Sequence, residues 1–287
     1  MGSSTNIPDG RPLRERDGAI INQWYIACLS KDLGQEPLAR TLYDIQMVLF
    51  RDKAGKPAVL VDRCMHRGTL LSKGKCIDGH LRCPYHGWTF DSVGKVVDIP
   101  SEGGATTKNF KHKGFKCVEQ DSVIWVYTGD DEPTSGPSWR FPQIDHKEWT
   151  SYFMVTDFNN EVTNLAENFM DVPHTVYVHD KWFRKKSHIK VPVLVEMKNG
   201  RVLCTYNQEN DKIGFASWIL NPHKDKMIHT DEFIFPNITR VDYLFGENGF
   251  IINSQMTPIS SMQTKVYTYI AFRISWWSRF FSFITTP

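Results

Sequence analysis

Residues 1–18 are polar and rich in Arg, Gly and Pro, and apolar positions begin to recur at Ala19-Ile20-Ile21-Asn22-Gln23-Trp24-Tyr25. From Thr41 the pattern is that of short strands. Asp44 to Phe50 and Ala58 to Asp62 flank the turn Ala54-Gly55-Lys56 and read as a hairpin. Trp88-Thr89-Phe90 and Lys95 to Ile99 flank a second turn at Ser92-Val93-Gly94, and Phe115 to Val118 is expected to pair with Val123 to Tyr127. The run Gly129 to Pro137 is dense in turn formers and acids and marks a boundary. Beyond it, Asn159 to Met170 has helical features with Thr163 as its expected N-cap. Sheet then resumes. Val191 to Glu196 and Arg201 to Tyr206 flank Asn199-Gly200, and further strands are expected at Glu232 to Phe235, Thr239 to Phe245, Phe250 to Met256 and Thr264 to Ile274. The expected fold class is α+β: an arm over residues 1–40 packing with the second domain, an all-β domain over 41–130, a linker over 131–142, and an antiparallel-sheet domain over 143–287.

Composition narrows this little. A length of 287 residues suits about two domains. Apolar content of 41%, charged content of 23% and a net charge of +2 exclude neither enzyme nor binding protein, but they give no sign of a nucleic-acid partner. The six cysteines sit in a large chain whose Met1 is followed by polar residues, which fits a reducing cytoplasm better than a secreted disulfide framework. No apolar run approaches the roughly 20 residues of a membrane-spanning helix. The aromatic tail Trp276 to Phe283 reads either as core packing of a helix or as a membrane-surface anchor.

Candidate chemistry changes the picture. Cys64-Met65-His66-Arg67-Gly68 and Cys83-Pro84-Tyr85-His86-Gly87-Trp88 each offer one thiolate and one imidazole on a loop tip. Two such limbs closing on one centre supply the mixed Cys₂His₂ set of a [2Fe–2S] cluster in which neutral imidazoles raise the potential. A structural zinc site is the alternative. It usually takes its cysteines from one knuckle and its histidines from another, whereas here each limb mixes them. His80, between the limbs, reads as a strand residue at the surface. Cys28, Cys76, Cys117 and Cys204 read as buried small hydrophobes.

A second set lies at the end of the expected helix, where Asn168, Asp171 and His174 follow at intervals of three along one drifting face. His179 is five residues beyond His174 and joins it at one metal only if the helix breaks, which Pro173 provides for. Two imidazoles and a carboxylate form the facial set of non-haem Fe(II) oxygenases. A polar helix end whose histidines are simply hydrogen-bonded at the surface is the plainer reading. The remaining histidines, 112, 146, 188, 223 and 229, fit no motif.

On these two motifs, roughly residues 20–275 of the chain resemble the catalytic (alpha) subunit of a Rieske non-haem iron oxygenase. The resemblance implies a Rieske domain followed by a helix-grip (START-like) catalytic domain. It implies that Cys64, His66, Cys83 and His86 hold the cluster, and that His174 and His179 bind a mononuclear Fe(II). It makes Asp171 a bridge to His86 or His66 of a neighbouring subunit in a head-to-tail homotrimer, with Asn168 beside it. It further implies O₂ and a small apolar substrate, hydroxylated or oxidatively demethylated. The electrons would come from a separate reductase or ferredoxin, since no Gly-rich dinucleotide fingerprint is present. Thr69 and Tyr85 stand where respiratory Rieske proteins carry a disulfide, which points away from that branch. The family's third iron ligand is a carboxylate on a C-terminal helix, and this chain has no acid beyond Glu247, so that ligand is expected past Pro287, with Asp242 and Glu247 placed too early. An electron carrier fused to a ligand-binding domain is the rival reading, separated from the oxygenase by whether a second metal site is competent.

Overall fold

The computed structural model describes residues 19–172, 192–206, 221 and 225–274. The chain divides into two compact units, the first comprising residues 1–139 with 257–263 and the second residues 140–256 with 264–287.

The first unit is built of strands joined by turns and short 3-10 helices, with no α-helix among its described residues. Its strands are β1 (Trp24–Leu29), β2 (Leu38–Leu42), β3 (Ile45–Arg51), β4 (Pro57–Val61), β5 (Lys75–Ile77), β6 (His80–Arg82), β7 (Thr89–Phe90), β8 (Val96–Ile99), β9 (Gly104–Ala105), β10 (Gly114–Phe115), β11 (Cys117–Gln120) and β12 (Val123–Tyr127). They form sheets ordered β1-β12-β11, β10-β4-β3-β2 and β5-β6-β7-β8-β9. The expected hairpin is β3 against β4, with Phe50 opposite Ala58. The stretch Phe115 to Val118 is divided: Phe115 pairs with Val59 of β4, whereas Cys117 and Val118 pair with β12. Residues 19–40, expected to pack with the second domain, fall in the first unit, where Trp24 to Leu29 pair with β12. The switch from unit one to unit two comes at Trp139, inside the expected linker. One core gathers Tyr25, Cys28, Met47, Leu49, Val59 and Val126, and a second gathers Val48, Phe50, Leu71, Leu81, Phe90 and Ile99 around Cys64 and Cys83. Alternate residues of β3 thus serve opposite cores, as the two-residue period of a strand dictates.

The second unit is built on one seven-stranded sheet of β13 (Thr150–Phe158), β14 (Val193–Lys198), β15 (Arg201–Tyr206), β16 (Met227–Ile234), β17 (Ile238–Phe245), β18 (Asn248–Ser260) and β19 (Gln263–Arg273), ordered β13-β19-β18-β17-β16-β15-β14. Its α-helix α1 (Val162–Met170) is the one helix of that type among the described residues. Leu165 of α1 packs with Met256 and Val266, and Phe158 meets Phe169. The helix starts at Val162, with Glu161 at the N-cap, two residues before the expected Thr163. Asn160 Oδ1, just before the cap, accepts the Glu161 amide at 2.9 Å and the Asn164 side-chain amide at 3.0 Å, and the cap residue makes no side-chain cap bond of its own. Residues 257–263, the tip of the β18–β19 hairpin, count with the first unit: the Tyr43 and Asp44 amides donate to the Pro258 and Ile259 carbonyls at 2.9 and 2.8 Å.

Candidate metal centre

The two cysteine limbs fold into the same turn. Cys64 N donates to Thr69 O at 2.8 Å and Gly68 N returns to Cys64 O at 2.8 Å. In the second limb Cys83 N donates to Trp88 O at 2.8 Å and Gly87 N to Cys83 O at 3.2 Å. The glycine stands four residues after the cysteine in both, with φ of +69° at Gly68 and +75° at Gly87, a backbone state that a side chain disfavours. The histidine offset differs between limbs, but the turn does not. A buried carboxylate fastens the first limb at its base: Asp62 accepts the Ser72 amide at 2.7 Å and the Ser72 hydroxyl at 2.6 Å, tying the residues that precede and follow the loop.

Within this frame like ligands meet. Cys64 and Cys83 are each only 3% exposed, set in the second core, and close enough for their sulfurs to interact. The His66 and His86 rings lie 4.7 Å apart on the outer side, His66 half-buried and His86 exposed. Burial pushes the Cys64 thiol up to about 11, opposed by the His66 and Arg67 amides that donate to its sulfur and reinforced by Cys83. Such a thiol stays protonated at neutral pH until a metal displaces the proton. His66 is shifted the other way: desolvation first, then the charges of His86 and Arg67, lower its pKa and favour the neutral imidazole that ligates metals. Its Nδ1 is buried and has no hydrogen-bond partner. A buried ring nitrogen without a partner is costly unless something else takes its lone pair.

Cysteine lies beside cysteine and histidine beside histidine, the arrangement that two irons, each taking a like pair, would use. Residues 23–119 match the family profile of the Rieske [2Fe-2S] domain.

The chain carries a Rieske domain. Over 163 residues it is 37% identical to the oxygenase component of dicamba O-demethylase from Stenotrophomonas maltophilia, a match covering 56% of this chain and 48% of that protein. Over 205 residues it is 29% identical to the vanillate O-demethylase oxygenase subunit of Pseudomonas sp. (strain HR199 / DSM 7063), covering 66% of this chain and 53% of the other. The chain therefore spans about half the length of these relatives. In fold it is similar to a crystal structure of dicamba monooxygenase bound to dicamba, with a TM-score of 0.77 at 24% identity, over 88% of this chain and 77% of that one.

Outside the Rieske domain, α1 delivers the second set only as far as it is described. Asn168 is exposed in the last turn, and its carbonyl accepts the Asp171 amide at 3.3 Å. Asp171 stands at the C-cap with φ −83° and ψ +79°, so the chain has left the helix before Pro173, as the proline predicts. Pro173, His174 and His179 lie outside the described residues. Asp242 and Glu247 are both engaged by arginines. Arg240 grips Asp242 with two bonds of 2.7 Å, and Arg273 holds Glu247 at 2.8 Å.

Sequence reasoning missed one buried polar pair. His229 and Asp231 are almost fully buried, with His229 Nε2 3.1 Å from Asp231 Oδ1. His229 is stacked between Tyr206 at 4.4 Å and Tyr243 at 4.2 Å, and Tyr243 stacks in turn on Phe250 at 4.7 Å. The row is a ladder across β15 to β18, with Tyr243 opposite both His229 and Phe250. Alternation puts His229, Tyr243, Phe250 and Met256 on the sheet face that carries Leu165 of α1. The available signal was the i, i+2 spacing of His229 and Asp231, which becomes meaningful only once the cross-strand register brings the tyrosines to it.

Proposed function

We propose that this chain is the oxygenase component of a Rieske-type system, with a helix-grip catalytic domain in its second unit. The observation that carries the reading is the segregation of the four loop ligands into an inner thiol pair and an outer imidazole pair. Cys64 and Cys83 would hold the inner iron of the cluster, His66 and His86 the outer one, and His174 and His179 a mononuclear Fe(II) with a carboxylate completing the facial set. When bound, the two centres supply one-electron transfer and O₂ activation respectively.

The chain's own residues prepare for this. The matched turns hold both cysteines by backbone bonds. The inner thiols are shielded from water by Val48, Phe50, Leu81 and Phe90, while the exposed His86 presents the outer side to a partner. Asp171, at the C-cap of α1, would serve as the bridge between the mononuclear iron site and a cluster histidine of a neighbouring subunit. The greater exposure of His86 supports it over His66 as that partner, in a head-to-tail homotrimer. Among the described residues no helix is long and apolar enough to cross a membrane, which is compatible with a cytoplasmic enzyme.

The named substrates of the relatives, dicamba, vanillate and toluene-4-sulfonate, support a small aromatic substrate, with O-demethylation the reaction two of the names carry. The test is a panel of methoxybenzoates with O₂ and a surrogate ferredoxin and reductase, read as O₂ uptake and formaldehyde release. A Rieske EPR signal with substrate-dependent O₂ consumption is expected. A reducible cluster with neither mononuclear iron nor O₂ uptake would replace the oxygenase with an electron carrier.

A further inference from the structure

The two outer imidazoles of the Rieske domain do not face the same surroundings. His86 lies 3.9 Å from Tyr85, which is 64% exposed. His66 instead stacks on Trp88, with centroids 4.9 Å apart and planes within 12°, and Trp88 stacks on Phe110 at 5.7 Å and 25°. Phe110 reaches the surface, 37% exposed. A run of packed rings therefore leads from one cluster ligand to solvent.

The outer end of that run is held rigidly. Val96 N donates to Phe110 O at 2.9 Å, His112 N donates to Gly94 O at 2.7 Å, and Lys95 bridges Lys111. At Gly94 a Cβ would stand 2.4 Å from the His112 carbonyl, so the approach depends on glycine. The same stretch is basic. Residues 106–116 carry Lys108, Lys111, Lys113 and Lys116 and no acid. Lys108 Nζ lies 6.0 Å from the centre of the Phe110 ring. Its ion pair with Glu102 at 2.6 Å, like those of Lys113 with Asp130 and Lys116 with Glu132, joins exposed groups. Pairs of this kind contribute little and exchange readily for a partner's carboxylates.

We propose that this platform, Phe110 with Lys108 and Lys111, is the docking face for an acidic one-electron carrier protein, and that the carrier's electron enters the cluster on the His66 side through Trp88. The inference rests on the Rieske reading and deepens it by naming the chemistry of the electron donor and its place of entry. An exposed aromatic ring beside the Lys108 ammonium, in a lysine-rich stretch, suits a small, transient interface, at the low end of interface sizes, where opposite charge sets the encounter rate. The transfer is a single electron: the carrier is oxidised by one, the cluster reduced by one, and no bond or proton moves. Entry at His66 leaves His86 and Tyr85 free to serve the outgoing step.

The experiment uses the cluster-loaded protein and a plant-type [2Fe–2S] ferredoxin, which is acidic, as the probe. Calorimetry gives the Kd of oxidised ferredoxin, and stopped-flow absorbance gives the rate of cluster reduction by reduced ferredoxin and, separately, by dithionite. The double variant Lys108→Glu/Lys111→Glu is expected to weaken ferredoxin binding and slow ferredoxin-driven reduction about tenfold or more at low salt, the effect shrinking as salt rises. Dithionite reduction and the EPR spectrum should stay as in the wild type. Phe110→Ala should slow transfer at saturating ferredoxin. Charge reversal at Lys147 and Lys198, exposed in the second unit, should change neither. Unchanged Kd and rate in the double variant would overturn the proposal. So would an equal effect from the Lys147 and Lys198 reversals, or slower reduction by dithionite as well, which would mean a disturbed cluster. A changed sedimentation coefficient with normal ferredoxin kinetics would make the face a contact between copies of this chain. Failure of the oxygenase reading shows elsewhere, as absent O₂ uptake by a cluster that ferredoxin reduces normally.

Discussion

The first unit buries almost no polar side chains beyond those that fasten its loops, whereas the second lines its sheet with them. Among the described residues, Asp62, Thr89, His112 and Thr128 are the buried polar residues of the first unit apart from its hairpin tip, and Asp62 clasps a loop of the candidate site while His112 bonds the Val61 carbonyl at 2.8 Å. The second unit buries His229, Asp231, Asn237, Asp242, Asn253 and Gln255 among others. A cluster that only exchanges electrons is best served by a dry, stiff cradle, since low polarity and fixed ligands limit rearrangement on reduction. A domain that orients a substrate must carry hydrogen-bonding groups inside, at a cost that only satisfied partners offset. The contrast between the interiors mirrors the division of labour proposed for them.

The contrast can be broken at its strongest point first. Cys83→Ser should abolish the visible absorption and the Rieske EPR signal outright, because iron–sulfur chemistry demands thiolate. The second unit should keep its thermal transition, and a retained signal would remove the cluster assignment. Next comes Asp171→Asn, which keeps the shape but loses the acceptor that serves two imidazoles. Substrate turnover should fall about a hundredfold with both iron contents intact, as measured by metal analysis beside single-turnover product formation. Wild-type turnover would show that Asp171 is no bridge.

Smaller effects sharpen the difference. Asp231→Leu leaves His229 buried without its carboxylate and should cost about 3–5 kcal/mol in denaturant unfolding of the second unit. The paired change His229→Leu/Asp231→Leu, which removes both polar groups, should cost less. Equal losses would mean that the pair is filler rather than a buried polar device. Asp62→Ala should cost about 1–3 kcal/mol by stranding the Ser72 donors, and should speed cluster loss in a chelator more than it alters the EPR g-values. A shifted spectrum with unchanged loss rate would place Asp62 in tuning rather than fastening.

Legibility followed the distance over which each feature is encoded. Both limbs lie within 25 residues, and the motif with its resemblance singles out Cys64, His66, Cys83 and His86, because loop tips with fixed glycines are local objects. β4, β12, β15 and β17 were likewise visible in their β-branched and aromatic runs. β16 was read as starting at Glu232 but begins at Met227, since His229 and Asp231 interrupt the apolar pattern and are buried only by neighbours that cross-strand register supplies. β13, Thr150–Phe158, escaped notice because its exposed Tyr152 and Met154 blur the alternation of an edge strand. The Trp88–Phe110 stack was equally hidden: its rings are 22 positions apart, and nothing local says that they touch.

The hairpin tip at residues 257–263 sets a rule for dissection. Because those residues cap Tyr43 and Asp44, and Thr257 Oγ1 donates to the Ile26 carbonyl at 2.8 Å, the unit that carries the Rieske domain is discontinuous along the gene. A fragment stopping at Trp139 would leave two backbone donors and one carbonyl of that half without their native acceptors and donor. A stand-alone version therefore requires the 257–263 turn to be grafted back, for example as a short loop joined to the β12 end.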